Sequence, residues 1–209
     1  MHEPSRTAPV VRPHLRFGVV ILAAGGSSRM GTPKQLLPIN GRGLVVRAAD
    51  AALAAGATPV VVVIGASADR IRPSLQDLPV LIAENPDWPE GMASSIRAGM
   101  AALDPFTPRL DAVMIALCDQ PAFSSQVIRQ IVTAQSASSR SIVAARYAGR
   151  NGAPALFLRA HFAELAALTG DHGARALLGA DPARVDSVDL PQLGIDVDTP
   201  ADYAALNAF

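Results

Sequence analysis

Cysteine is nearly missing from this chain of 209 residues, Cys118 being the only one. An intramolecular disulfide is therefore excluded, and the composition fits a reducing compartment, so a cytoplasmic protein is expected. Aromatic residues are also scarce, at 4%, which argues against base-stacking platforms for single-stranded nucleic acid. No charge of one sign dominates, because 18 Lys and Arg balance 18 Asp and Glu. Without a basic surplus, no nucleic-acid partner held by bulk electrostatics is expected. No apolar run approaches about 18 residues without a charge or a turn residue, so no membrane span is expected. Residues 1–16 hold Pro, Arg and His but no apolar stretch of the kind a secretory signal needs, and read as a disordered tail.

What is present is apolar: half of the residues are hydrophobic. A single α/β domain over residues 17–209 is the expectation from length and composition. The most informative stretch is Phe17 to Ile39, FGVVILAAGGSSRMGTPKQLLPI. Its apolar, β-branched opening reads as a buried strand. Ala23-Ala24-Gly25-Gly26-Ser27-Ser28 follows with small residues only. Such a loop lets a ligand approach the backbone and leaves N–H groups free to donate to anions. Arg29 and Lys34 put two cations beside it. The combination points to a nucleotide-phosphate site at the C-terminal edge of a parallel sheet. Two better-known motifs are excluded. G-x-G-x-x-G is not supplied, and the G-x-x-x-x-G spacing of Gly26 to Gly31 is followed by Thr32-Pro33, not directly by the Lys of a Walker A loop.

Apolar runs at residues 59–64, 80–83, 111–117 and 141–145 read as further buried strands. A short strand ends at Phe157, and residues 185–188 form an edge strand. Helices are expected over 43–56, 67–75, 91–103, 124–134, 158–168, 173–178 and 200–206. In the first of these, Val45, Val46, Ala49 and Leu53 make the apolar stripe and Gly56 ends the helix. Ser67, Ser124 and Asp171 are the expected caps, and His161 is expected on an exposed helix face. Alternating strands and helices predict right-handed crossovers and a three-layer α/β/α sandwich around a mostly parallel sheet.

Chemistry gathers at three later places. Asn85-Pro86-Asp87-Trp88-Pro89 is a turn-rich loop, and the helix after it begins with Ser94 and Ser95. Asp119, in Cys118-Asp119-Gln120-Pro121, stands at the tip of a strand, where open α/β sheets bind ligands. One carboxylate there is enough to anchor Mg²⁺ when substrate phosphates supply other oxygens. Asp196 and Asp198 point to the same side of an extended segment. Like charges on one face cost energy unless a cation or donors neutralise them.

LAAGGSSRMGTPKQLL closely resembles the opening motif of the nucleotidyltransferase superfamily that makes NDP-linked products. Within it, the chain resembles the branch containing the molybdenum cofactor cytidylyltransferases and guanylyltransferases. The likeness extends through NPDWPEGMASSI, CDQP, GRNGAPALF, GDHGAR and DVDTPADY, and covers nearly everything after about residue 16. It implies a Rossmann-like nucleotidyltransferase fold, with residues 17–121 as the nucleotide-binding half and 122–209 as the acceptor-binding half. It implies catalytic roles for Arg29, Lys34 and Asp119. Leu22, Ala23, Ala24, Gly25, Gly26, Ser27 and Ser28, with Arg29 and Lys34, would hold the nucleotide, and Ser95 would lie near the base. Mg²⁺, with Mn²⁺ as an alternative, would be held by Asp119 with Asp196 and Asp198, the direct ligand of the last two being left open. Asn151, Gly152, Pro154 and Arg175 would face the acceptor. Ala153 departs from the pattern, which often has His there.

The implied reaction is attack by an acceptor phosphate on the α-phosphorus of an NTP. Leu22-Ala23-Ala24-Gly25 looks like the cytidylyl branch, whereas the guanylyl branch tends to carry L-A-G-G, with more room for a purine. CTP and molybdopterin are therefore the implied substrates, and a molybdenum hydroxylase apoenzyme the implied recipient. The alternatives are a sugar- or other small-phosphate cytidylyl- or uridylyltransferase, a molybdopterin guanylyltransferase, and a non-enzymatic molybdenum cofactor carrier.

Overall fold

The computed structural model describes residues 15–28, 30–171 and 173–206. β1 (Phe17–Ala23) is buried along its whole length, as an apolar strand covered on both faces must be. A small hairpin of β2 (Pro38–Ile39) and β3 (Arg42–Gly43) leads into α1 (Leu44–Ala54). β4 (Val60–Ile64), α2 (Ala68–Ile71), β5 (Leu81–Glu84), α3 (Met92–Leu103) and β6 (Ala112–Leu117) complete the first half. α4 (Ser125–Ala137), β7 (Ile142–Tyr147), β8 (Arg150–Leu158), α5 (Phe162–Ala166), α6 (Arg175–Ala180), β9 (Val185–Asp189) and α7 (Pro200–Leu206) make up the rest.

Seven strands form one sheet in the order β5-β4-β1-β6-β8-β7-β9. Every pairing is parallel except those of β8, which runs against both β6 and β7. Alternate side chains of each strand enter opposite layers. Val19 and Ile21 pack with Val45, Ala49, Ile128 and Ile131 on the α1/α4 side. Val20 and Leu22 pack with Ile96, Met100 and Leu178 on the α3/α6 side. The result is the expected Rossmann-like, three-layer α/β/α sandwich around a mostly parallel sheet. Leu22 of β1 and Leu117 of β6 are register partners. The loops after these two central strands therefore emerge side by side, and they carry the site. Among the described residues, no helix is long and apolar enough to cross a membrane.

Several expectations need correction. No helix spans 158–168: Leu158 ends β8, a 3₁₀ turn covers Arg159–His161, and α5 begins at Phe162. His161 is buried, not exposed. Its Nε2 lies 2.8 Å from Ser141 Oγ and its Nδ1 2.6 Å from the Arg184 guanidinium. The expected helix over 67–75 divides into α2 and a 3₁₀ turn at Arg72–Leu75 where Pro73 intervenes, and Ser67 makes no side-chain cap. Asp171 does not cap either, since α6 starts only at Arg175. The buried face of α1 is Leu44, Val45, Ala48, Ala49 and Ala52; Val46 and Leu53 are only partly buried. Ser124 caps α4 as expected, accepting from Val127 N. The tail expected over 1–16 lies outside the described residues up to residue 14. Its last two residues belong to the packed domain: Leu15 packs on the core, and Arg16 forms a bidentate pair with Asp111 at 2.8 and 3.0 Å.

Candidate active site

The loop after β1 is held from below by a side chain. Gln35 is buried, and its Nε2 donates to Ala23 O at 2.9 Å and Gly25 O at 2.8 Å. Its Oε1 accepts from Ser27 Oγ at 3.2 Å, and the same hydroxyl accepts from Lys34 N at 3.1 Å. Ser27 has a positive φ of 50°, a conformation L-residues adopt at some cost. The network fixes it there. Loop carbonyls are thus engaged downward, which leaves the upper side of the loop to a ligand.

That side is a cavity of about 330 Å³. Leu22, Ala23, Ala24, Gly25 and Gly26 of β1 and its loop, Lys34, Cys118 and Asp119 after the end of β6, and Trp88, Met92 and Ser95 line it together. A Cβ on Gly26 would come 3.3 Å from the Trp88 ring, so the glycine lets the indole approach the loop. The methyl of Ala24 is turned into the protein against Gly65, where a Cβ would meet it at 2.8 Å. Ser95 Oγ accepts from Asn85 Nδ2 at 3.0 Å, and Ser94 Oγ from the same nitrogen at 2.8 Å. Neither serine caps α3, whose cap residue is Gly91. Ser27 and Ser28 lie beyond the cavity lining. Arg29 lies outside the described residues.

Lys34 Nζ sits 2.5 Å from Asp119 Oδ2 and 2.7 Å from Asp198 Oδ1. Burial works against its charge, but the two carboxylates outweigh that and push its pKa up to about 12. Asp196 shows the opposite effect. Burial, then the charges of Asp119 and Asp198, push its pKa up to about 6. Val197 N donates to Asp119 O at 3.0 Å, which pins the acidic segment to the end of β6. Asp119 Oδ1 and Asp196 Oδ1 are buried without a hydrogen-bond partner. Two partnerless carboxylate oxygens beside repelling negative charge fit a hard dication. Among the described residues no three or more His, Cys, Asp or Glu are gathered as a metal cage. Mg²⁺ needs none when phosphates complete its shell. Burial and the neighbouring Asp119 push the Cys118 thiol up, which makes it packing, not a thiolate nucleophile.

On the β8 side a second, smaller cavity of about 30 Å³ is bounded by Ala153, Ala155, Ile115, Leu178 and Arg175. Met92 and Leu117 border both cavities. Of the expected acceptor residues, Arg175 borders it, with the departing position Ala153; Asn151, Gly152 and Pro154 do not. Gly152 is covered by Tyr147, whose hydroxyl a Cβ there would meet at 2.5 Å. Sequence reasoning overlooked Gln35 and Gln120. The buried Gln120 Nε2 donates to Tyr147 Oη, Ala153 O and Leu193 O at 3.1–3.2 Å. It ties β6 to the acceptor strand and to the segment leading into Asp196. Both residues stand inside recognised motifs, KQLL and CDQP, which was the available signal.

The family described as a MobA-like NTP transferase domain matches residues 19–186. The nicotine blue oxidoreductase of Paenarthrobacter nicotinovorans is 35% identical over 189 residues, covering 86% of this chain and 91% of that protein. The crystal structure of Rv0371c from Mycobacterium tuberculosis superposes with a TM-score of 0.74 at 35% identity, over 93% of this chain and 100% of that one. Its manganese complex gives a TM-score of 0.70 at 32% identity, with the same coverage. The chain is an enzyme of the nucleotidyltransferase class and belongs to the MobA-like NTP transferase family.

Proposed function

We propose that this protein transfers a CMP moiety from CTP to the terminal phosphate of molybdopterin or its molybdenum-loaded form, with release of pyrophosphate. The observation that carries the reading is the small-residue loop after β1 facing the Lys34–Asp119 pair across one cavity. In this reading residues 17–121 bind the nucleotide and 122–209 the acceptor. Loop amides from Ala24 to Gly26, with Arg29, hold the β- and γ-phosphates. Trp88 and Ser95 frame the base. Lys34 stabilises charge developing near the α-phosphorus. Its loss is expected to cost ~2–4 kcal/mol of transition-state stabilisation, as for a single oxyanion donor. The attacking phosphate is already ionised at neutral pH, so no general base is needed. Asp119, with Asp196 and Asp198, would hold Mg²⁺ or Mn²⁺, which neutralises charge on phosphate oxygens when bound. Asp119 also anchors Lys34, and Gln120 keeps the acceptor strand at a fixed distance from it. The specific choice of CTP rests on the likeness of Leu22-Ala23-Ala24-Gly25 to the cytidylyl branch.

The similarity to a protein named an oxidoreductase favours a second reading, redox chemistry in the same cavity. The absence of a G-x-G-x-x-G loop speaks against a dinucleotide there. Pyrophosphate release is the deciding experiment, with purified protein, Mg²⁺ and each NTP in turn, with and without molybdopterin. Release with CTP that depends on molybdopterin is expected. Release with GTP instead would move the protein to the guanylyl branch. No release, together with binding of a nicotinamide dinucleotide, would overturn the reading in favour of the second.

A further inference from the structure

We infer that Lys34 is a resident cation that closes the acidic cluster to a free divalent ion, so that metal enters only with a nucleotide whose phosphates draw the lysine away. The inference rests on the proposed nucleotidyl transfer and adds an order of binding to it. Its basis is where the ammonium stands. Nζ lies within 2.7 Å of an oxygen of Asp119 and of Asp198, and its side chain is only 15% exposed. These are two of the carboxylates a dication would use. An ammonium and a dication about 4 Å apart repel strongly enough, even at the dielectric of water, to lower metal affinity by more than about tenfold.

The cluster still lacks positive charge, as the partnerless Asp119 Oδ1 and Asp196 Oδ1 indicate. A dication is therefore attracted and obstructed at once. The obstruction can be moved without rebuilding the fold. Lys34 is anchored by its backbone, with N donating to Ser27 Oγ at 3.1 Å and O accepting from Leu37 N at 3.0 Å. Its four-carbon stem can swing the head alone. The same side chain lines the cavity faced by the loop amides, where a triphosphate offers oxygens in exchange for the carboxylates. Nucleotide and metal then raise each other's affinity by the same factor, as linkage requires.

Mn²⁺ titration followed by the electron paramagnetic resonance of the free ion tests this, without nucleotide and with a non-transferable α,β-methylene CTP. Wild-type protein is expected to bind bare Mn²⁺ weakly and to gain at least about tenfold with the analogue. Lys34→Met keeps the stem and removes the charge. It is expected to bind bare Mn²⁺ about tenfold or more tightly than wild type and to lose most of the nucleotide dependence. Lys34→Arg should stay close to wild type, and Lys34→Gln serves if the Met variant fails to fold. If the neutral variants bind bare Mn²⁺ no better than wild type, the inference is overturned while the transfer reading stands. If wild type binds no Mn²⁺ even with the analogue, both fall.

Discussion

Asp196→Asn should stabilise the metal-free protein, and the gain should appear only as pH rises. Asp196 is half-buried beside Asp119 and Asp198, and its native pKa is raised from 3.8 to about 6. Below about pH 4 the carboxyl is protonated whether the chain is folded or not, and it contributes nothing. Between about 4 and 6 the unfolded chain releases the proton and the native state retains it. Native stability therefore falls over that window and stays lower above it. At about 1.4 kcal/mol per tenfold, a rise of this size is worth at most ~3 kcal/mol. Water at the partly open site reduces it, so ~1–2 kcal/mol is the expected gain for Asn at pH 7. With a urea slope of ~3 kcal/mol per molar, that is a midpoint shift of about 0.5 M.

The assay is urea unfolding of wild type and variant in EDTA at half-unit steps from pH 4 to pH 8. The difference between the two midpoints should open between about pH 4 and 6 and then level off. Mn²⁺ supplied together with α,β-methylene CTP, in the absence of EDTA, should raise the wild-type midpoint at pH 7, because binding to the native state alone stabilises it. The variant should gain less. A midpoint difference that stays flat across the whole range would refute the claim that Asp196 is held charged against burial and its neighbours.

Two further substitutions probe how the site is built. Gln35→Leu removes the amide that holds Ala23 O, Gly25 O and Ser27 Oγ. It should lower stability by ~2–4 kcal/mol through buried groups left without partners, and calorimetry should show CTP affinity falling about tenfold or more; unchanged affinity would mean that the loop shapes itself. Gly99→Ala places a methyl 2.3 Å from Val20 Cγ1 where α3 crosses β1. Overpacking at ~1–3 kcal/mol exceeds the ~1 kcal/mol of helix propensity gained. The melting temperature should fall by a few degrees, and a rise would show that α3 can lift off the sheet freely.

The central strands were legible because a parallel sheet covered on both faces demands apolar runs, and VVIL, VVVVI and AVMIAL are such runs. Their ends were legible too, since each falls where small residues or a carboxylate begins. The reversal of β8 was not. It follows a two-residue turn at Ala148-Gly149, both with positive φ, and Ala-Gly lacks the Asn-Gly or Asp-Gly signature of such turns. The burial of His161 was hidden for another reason. Its partners Ser141 and Arg184 lie 20 and 23 residues away, and no local period reports a contact at that range.

The site divides along the same line. Lys34, Asp119 and Asp198 were each recognisable within a motif, but Lys34 reaches across 85 and 164 residues to the other two. Sequence reasoning sent the lysine to a phosphate because a motif describes which residues meet a substrate. The folded chain without substrate must still satisfy a half-buried ammonium, and the nearest anions are the carboxylates. The same requirement leaves Asp119 Oδ1 and Asp196 Oδ1 without partners, because one ammonium cannot reach every oxygen of the cluster. A charge that must find partners in two different states is the physical basis for coupling the binding of metal to that of nucleotide, and that coupling cannot be read from spacing alone.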